Sequence, residues 1–230
     1  MVAALAVTLL VLGKPQNSLA VNNLDFQVMI GATTCIDNDA CDTNPAVNRI
    51  NFTLTTADSI VSAITSVTNA PGGTAVALLD MGYVVDCINV LCTGGTVVLK
   101  ASVVGFTSPT FSAGKLTSTI DGNFSFGSGS VTAQQWENNT NTLFGEGANT
   151  CGPQGPLTST SYSSTCVTLI SPLSHPFALT EKLTITLDSN PTLTSGDFSS
   201  TITPEPASML LMGIGLVGLG SYRKRSKNKN

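Results

Sequence analysis

The sequence predicts a mainly β protein: an antiparallel β-sandwich with disulfide-clipped loops, an N-terminal signal helix and a short C-terminal transmembrane helix. Three observations carry that expectation. Composition is the first. Of 230 residues 31 are threonine, while aromatics make up 6% and charged residues 10%. β-Branched side chains are stiff at χ1 and suit a pleated, half-buried surface better than a helix. The second is alternation of apolar and polar residues with period two, the pattern of a strand with one buried face. The third is a series of Gly-, Pro- and Asn-rich stretches between the alternating segments, which read as turns.

In chain order, the clearest strands are "LDFQVMI" (24–30), "INFTLTT" (50–56), "TVVLKASVVGF" (96–106) and "KLTITLD" (182–188). "ADSIVSAITSVTNA" (57–70) fits one helix or a pair of strands, because Ile60, Ile64 and Val67 recur at helical spacing. Its β-branched content favours strand. Turns are expected at 69–73, 106–110, 121–130 and 145–156. No internal repeat points to a solenoid. Residues 21–190 are therefore read as the sandwich, and 191–203 as a linker.

The two ends read as addresses. Residues 1–20 have an apolar run from Val2 to Leu12 and close on Ser18-Leu19-Ala20, with small residues at −3 and −1 of a cleavage site. No basic residue precedes the run, so it reads either as a signal peptide with its basic start missing or truncated or as the first buried element; the cysteine usage favours the signal peptide. The tail from 204 to 230 has three parts: Pro204-Glu205-Pro206, an apolar stretch from Ala207 to Tyr222, and a basic end containing Arg223, Lys224 and Arg225. Sixteen helical residues span about 24 Å, short of the ~30 Å hydrocarbon core. The basic end stays cytoplasmic by the positive-inside rule, which leaves residues 21–203 outside.

This order of parts resembles the PEP-CTERM sorting signal of bacterial exported proteins, also labelled an ice-binding protein C-terminal motif. The resemblance implies processing by the membrane transpeptidase exosortase at Pro204-Glu205-Pro206. It also implies transient anchoring in the inner membrane and association with extracellular polysaccharide in the envelope or a biofilm. "SHPFALTEKLTITLD" (174–188), followed by the tail, resembles one group of such proteins in which a PF-x-LT element opens the last strand before the anchor.

Six cysteines fall as three local pairs: Cys35/Cys41, Cys87/Cys92 and Cys151/Cys166. Six allow 15 connectivities, and local pairing is expected because each pair brackets loop-like residues. The spacings contain no CxxC and the chain has one histidine, so a zinc site is not indicated. Disulfides suit an oxidising exterior. Between Val21 and Thr203 there are 13 acidic and 4 basic side chains, a balance of −9, which disfavours nucleic acid as a partner.

The sequence offers little chemistry. His175 is the one possible triad base, yet no G-x-S-x-G elbow exists. Glu137, Glu146 and Glu181 could serve glycosidase chemistry only as an opposed pair. "CIDNDACD" (35–42) presents Asp37, Asp39 and Asp42 as weak calcium candidates, though Cys41 holds a ligand position and no closing glutamate follows. Trp136 could stack on a sugar ring if exposed; a core plug is the favoured reading. No cofactor and no enzymatic activity are expected. The overall expectation is an exported surface or matrix protein with a structural or adhesive role. The alternatives are a carbohydrate-binding or ice-binding module and, less favoured, a secreted hydrolase.

Overall fold

Twelve strands form two six-stranded antiparallel sheets in a computed structural model that describes residues 26–56, 60–71, 76–88, 94–110, 114–170, 173–188 and 191–204. The expected signal helix and transmembrane helix lie outside these residues. In chain order the strands are β1 (Phe26–Ile30), β2 (Thr33–Ile36), β3 (Arg49–Thr55), β4 (Ile60–Thr68), β5 (Ala77–Cys87) and β6 (Thr96–Phe106). They continue as β7 (Gly114–Phe126), β8 (Gly129–Asn138), β9 (Asn149–Leu157), β10 (Ser161–Ile170), β11 (Phe177–Leu187) and β12 (Thr192–Pro204). The first sheet has the order β2-β1-β6-β11-β8-β9 and the second β10-β7-β12-β5-β4-β3.

The period-two pattern decides which side chains meet between the sheets. β1, β4 and β5 alternate buried with half-buried or exposed residues almost without a break. Phe26, Leu79, Met81, Leu99, Ile120, Leu183 and Phe198 are among the side chains in the apolar cluster between the sheets. Phe106 and Phe177 are cross-strand partners and stack at 5.2 Å between centroids. Small hydroxyl residues also point inward, and several are satisfied by the next strand: Ser66 Oγ donates to the Asp80 carbonyl at 2.7 Å, and Thr68 Oγ1 to that of Leu78 at 2.9 Å. A chain rich in Thr and Ser can thus line part of its interior without orphaning every hydroxyl.

One polar crossing depends on two glycines. Tyr83 of β5 and Tyr162 of β10 reach toward each other across β12 and β7, and their hydroxyls meet at 2.5 Å. Tyr162 also meets Thr194 Oγ1 at 2.9 Å. Gly196 and Gly122 are cross-strand partners directly beneath. A Cβ at Gly122 would lie 2.6 Å from the Tyr162 hydroxyl, and one at Gly196 would lie 2.7 Å from the Tyr83 hydroxyl. Neither position has room for a side chain.

Each end of the slab carries a disulfide. β9 and β10, outermost in different sheets, are joined by the Cys151–Cys166 disulfide, with Cα atoms 5.6 Å apart. At the other end the loop after β2, clipped by Cys35–Cys41, folds against β3: the Thr43 amide donates to the Asn51 carbonyl, and the Asn51 amide to Asp42 Oδ1. On β3 this covers part of the edge backbone, which opposes edge-to-edge association there.

Four sequence expectations need correction. Residues 191–203 are not a linker: β12 runs through them and lies between β7 and β5 in the second sheet. Its inward residues Thr192, Thr194 and Ser200 are polar, so the alternation is one of size and burial more than of hydropathy. The PF-x-LT element opens β11, which is not the last strand: β12 follows it, and β11 pairs with both β6 and β8 inside the first sheet. The turn expected over 121–130 shrinks to Gly127 and Ser128, because β7 continues to Phe126 and β8 starts at Gly129. The Gly- and Pro-rich stretch 145–156 contains most of β9, an irregular strand whose register with β8 shifts twice. Proline is tolerated there because β9 lies at a sheet edge. The segment 57–70, open between helix and strand, holds the single strand β4.

Candidate functional site

The sorting segment begins where the sandwich ends. Pro204 is the last residue of β12 and is in register with Gly114 of β7. Proline has no amide hydrogen to continue a ladder, so pairing stops there. The motif therefore starts directly at the end of an interior strand. Glu205, Pro206, Arg223, Lys224 and Arg225 lie outside the described residues.

Two of the three expected cystines are present as local pairs, Cys35–Cys41 and Cys151–Cys166. Cys87 is also disulfide-bonded, while Cys92 lies outside the described residues. Within the Cys35–Cys41 loop the carboxylates are held by backbone amides. Asp42 accepts from Asn38 at 3.1 Å, Asn44 at 2.8 Å and Asn51 at 2.9 Å; Asp37 accepts from Asn48 at 2.9 Å, and Asp39 from Ala40 at 2.7 Å. Burial raises the pKa of Asp37 against the pull of these amides. Folding the loop onto β3 is the work these oxygens visibly do.

Trp136 is buried, as the favoured reading had it, but not in the apolar cluster between the sheets. Strand alternation puts it on the outer face of the first sheet, outside the core cluster, yet it is only 5% exposed. The segment after β8 folds back over this part of the sheet. The Phe144 amide donates to Ser102 Oγ at 2.9 Å, the Gly105 amide to Asn141 Oδ1 at 2.7 Å, and Asn138 Nδ2 to Thr142 Oγ1 at 2.8 Å. A ring sealed in this way presents no free face to a sugar.

His175 sits in the turn before β11, with Nε2 2.8 Å from the Pro109 carbonyl oxygen and its ring edge-on to Phe177. Glu146 is exposed in the loop after β8. Glu137 and Glu181 point into the sandwich and are fully buried. Asn149 Nδ2 donates to Glu137 Oε2 at 2.6 Å; burial raises that carboxyl's pKa, and Asn149 and His175 partly offset the rise.

Glu181 belongs to an interior polar cluster that sequence reading missed. It is the cross-strand partner of Gln135. In the opposite sheet Ser118 and Ser200 are also partners, and Gln154 Nε2 donates to Ser118 Oγ at 2.8 Å. Both Glu181 oxygens, both polar side-chain atoms of Gln135, Gln154 Oε1 and Ser200 Oγ are buried without hydrogen-bond geometry to any group. Burial pushes Glu181 well above the usual carboxylate range; the nearby Ser200 hydroxyl opposes this, and the charges of Asp80 and Asp197 add to it.

A second cluster occupies the outer face of the second sheet. Asp121 and Asp197 are direct cross-strand partners, and Asp80 on β5 shares a hydrogen bond with Asp197. Burial and the charge of Asp197 push Asp80 up to about 6, and Asp197 is raised by burial. Beside them is a shallow depression of about 370 Å³ bordered by Ala63, Thr65, Gly82, Val84 and Ser195. The only sequence signal for this cluster is a polar residue at an outward position of each of three strands.

The fold and its exit point define an all-β sandwich extended at its last strand by a sorting tail. Residues 203–225 match the PEP-CTERM protein-sorting motif. The chain is thus an exosortase-targeted protein, marked for export and the cell surface. No curated protein matches it. Among the described residues no helix is long and apolar enough to cross a membrane, which leaves a β-barrel unaddressed.

Proposed function

We propose that this is a non-enzymatic surface or matrix protein, anchored briefly in the inner membrane and then released or transferred by exosortase to act as a structural or adhesive component of extracellular polysaccharide. The observation that carries the reading is the junction at Pro204: the sorting motif follows an interior strand of a cross-linked sandwich with no linker between them. A load on the C-terminus enters the second sheet through β12, whose two ladders with β7 and β5 share it along the strand. That connection suits a part that is held at one end. The sealed Trp136 gives no support to a stacking sugar-binding module, and Glu137 and Glu181 are shut away from solvent.

Fractionating a producing strain into cells, soluble medium and polysaccharide matrix tests the role. The protein is expected in the matrix fraction and should be released by a polysaccharide-degrading enzyme. Recovery entirely in the soluble medium would contradict it.

A further inference from the structure

The two outer faces of the sandwich carry opposite charge. On the first sheet Lys100 and Lys182 are direct cross-strand partners, both at outward positions between the buried residues Leu99, Ala101, Glu181 and Leu183. They are two of only four basic side chains between residues 21 and 203. Among the described residues neither has an ion pair. The outward residues on β1, β6, β11 and β8 include Gln27, Met29, Val98, Ser102, Thr180, Gln134 and Trp136, and none is a carboxylate. Glu146, on the loop after β8, is the one acidic residue that loop adds.

On the second sheet the outward pair is Asp121 and Asp197, with Asp80 alongside. Lys115 lies about 20 Å along β7 from Asp121 at 3.3 Å per residue, and Arg49 is on the edge strand β3. Like charges placed directly opposite on neighbouring strands destabilise a sheet. Each face is in this state in the isolated molecule. On both faces the like pair sits one strand spacing apart, roughly 4.8 Å, so the ammonium and carboxylate pairs are commensurate. Gly82, directly opposite Asp197, has no side chain, and the depression beside it gives an incoming lysine stem room to lie down.

We propose that these faces bind each other between copies: the Lys100–Lys182 pair of one chain docks on the Asp80, Asp121 and Asp197 cluster of the next. Because the patches are on opposite sides of one slab, every contact leaves a free face at each end. The association is heterologous and open, which builds stacks and not closed dimers. Exposed ion pairs are individually weak, so the stack depends on several acting together and falls apart with salt. This association needs neither exosortase nor polysaccharide.

Carbodiimide coupling of the full chain, in non-ionic detergent at low salt, tests the proposal, because it joins an ammonium to a carboxylate with no spacer. Within one molecule the two patches are separated by two sheets packed about 10 Å apart, beyond such reach. The expected result is a ladder of dimers, trimers and higher species. Its linked peptides should join Lys100 or Lys182 to Asp80, Asp121 or Asp197, and 0.5 M salt should reduce it at least tenfold. The Lys100→Glu/Lys182→Glu variant should keep the wild-type melting curve and lose the ladder. Mixing it with an Asp121→Lys/Asp197→Lys variant should restore cross-linked species. A single unlinked species for the wild type at low salt would overturn the proposal, as would a ladder mapped to other residues. Alginate bound through Lys100 and Lys182 by a chain that stays single would overturn it too, and would make an anionic polysaccharide the occupant.

Discussion

Replacing Glu181 with Gln should make the protein more stable at neutral pH, and the gain should vanish as the pH falls. Glu181 is completely buried, and neither of its oxygens has a hydrogen-bond partner. Its carboxyl is held well above the ordinary glutamate value of 4.5, chiefly by burial. Above pH 4.5 the unfolded chain gives up this proton while the folded chain keeps it. The folded state then binds more protons, and stability falls as pH rises. The slope is about 1.4 kcal/mol per pH unit from 4.5 up to the folded-state pKa of Glu181. For a chain of this size that is roughly 3–6 °C of melting temperature per unit. Glutamine has nearly the same shape and cannot ionise, so it removes this slope and leaves the others. Asp80, raised to about 6, contributes in the same sense between 3.8 and 6, and is common to both proteins. Thermal melts of the two from pH 4.5 to 8 give the difference directly. The two proteins should be nearly equal at pH 4.5, with a widening advantage for Glu181→Gln above it. A difference independent of pH, or a wild type that is the more stable at pH 7, would show that Glu181 is ionised and partnered.

Three further outcomes follow from the packing. Gly196→Ala should lower stability by about 1–3 kcal/mol, since a Cβ there meets the Tyr83 hydroxyl and the Asp121 carbonyl. Adding Tyr83→Phe should recover part of the loss, and a wild-type melt for the single variant would refute the crowding. Replacing Cys151 and Cys166 by serine should cost roughly 3 kcal/mol for a loop of this length. That corresponds to a fall of about 6–12 °C in a thermal melt; an unchanged melt would show that the bridge does not hold the β9–β10 end together.

Where alternation was apolar against polar, the sequence disclosed the strand: β6 has the bounds read from it, and β1, β3 and β11 lie where expected. The architecture and the local pairing of Cys35–Cys41 and Cys151–Cys166 were legible for the same reason, since both depend on local pattern. β12 was not, because its inward positions include Thr192, Thr194, Gly196 and Ser200, and the space they fill is set by Tyr162 and Tyr83 from other strands. β9 was hidden by Gly152, Pro153, Gly155 and Pro156, which an edge strand tied to its neighbour by a cystine accommodates. Trp136 is buried as expected, but its place was not legible, because sequence says which face a residue takes relative to its strand and not what a later loop lays over it. The charged faces and the cluster around Glu181 are products of register, which joins residues as far apart as Asp80 and Asp197.

The sorting function rests on Pro204-Glu205-Pro206, and the mass of the mature protein tests it most directly. A strain carrying exosortase should produce the wild-type chain and a variant with these three residues changed to alanine, each analysed intact. The wild-type product should have lost Arg223 to Asn230 and end, or be joined to another molecule, near residue 204. The alanine variant should remain unprocessed and membrane-bound. A wild-type product that retains Arg223 to Asn230 would contradict it.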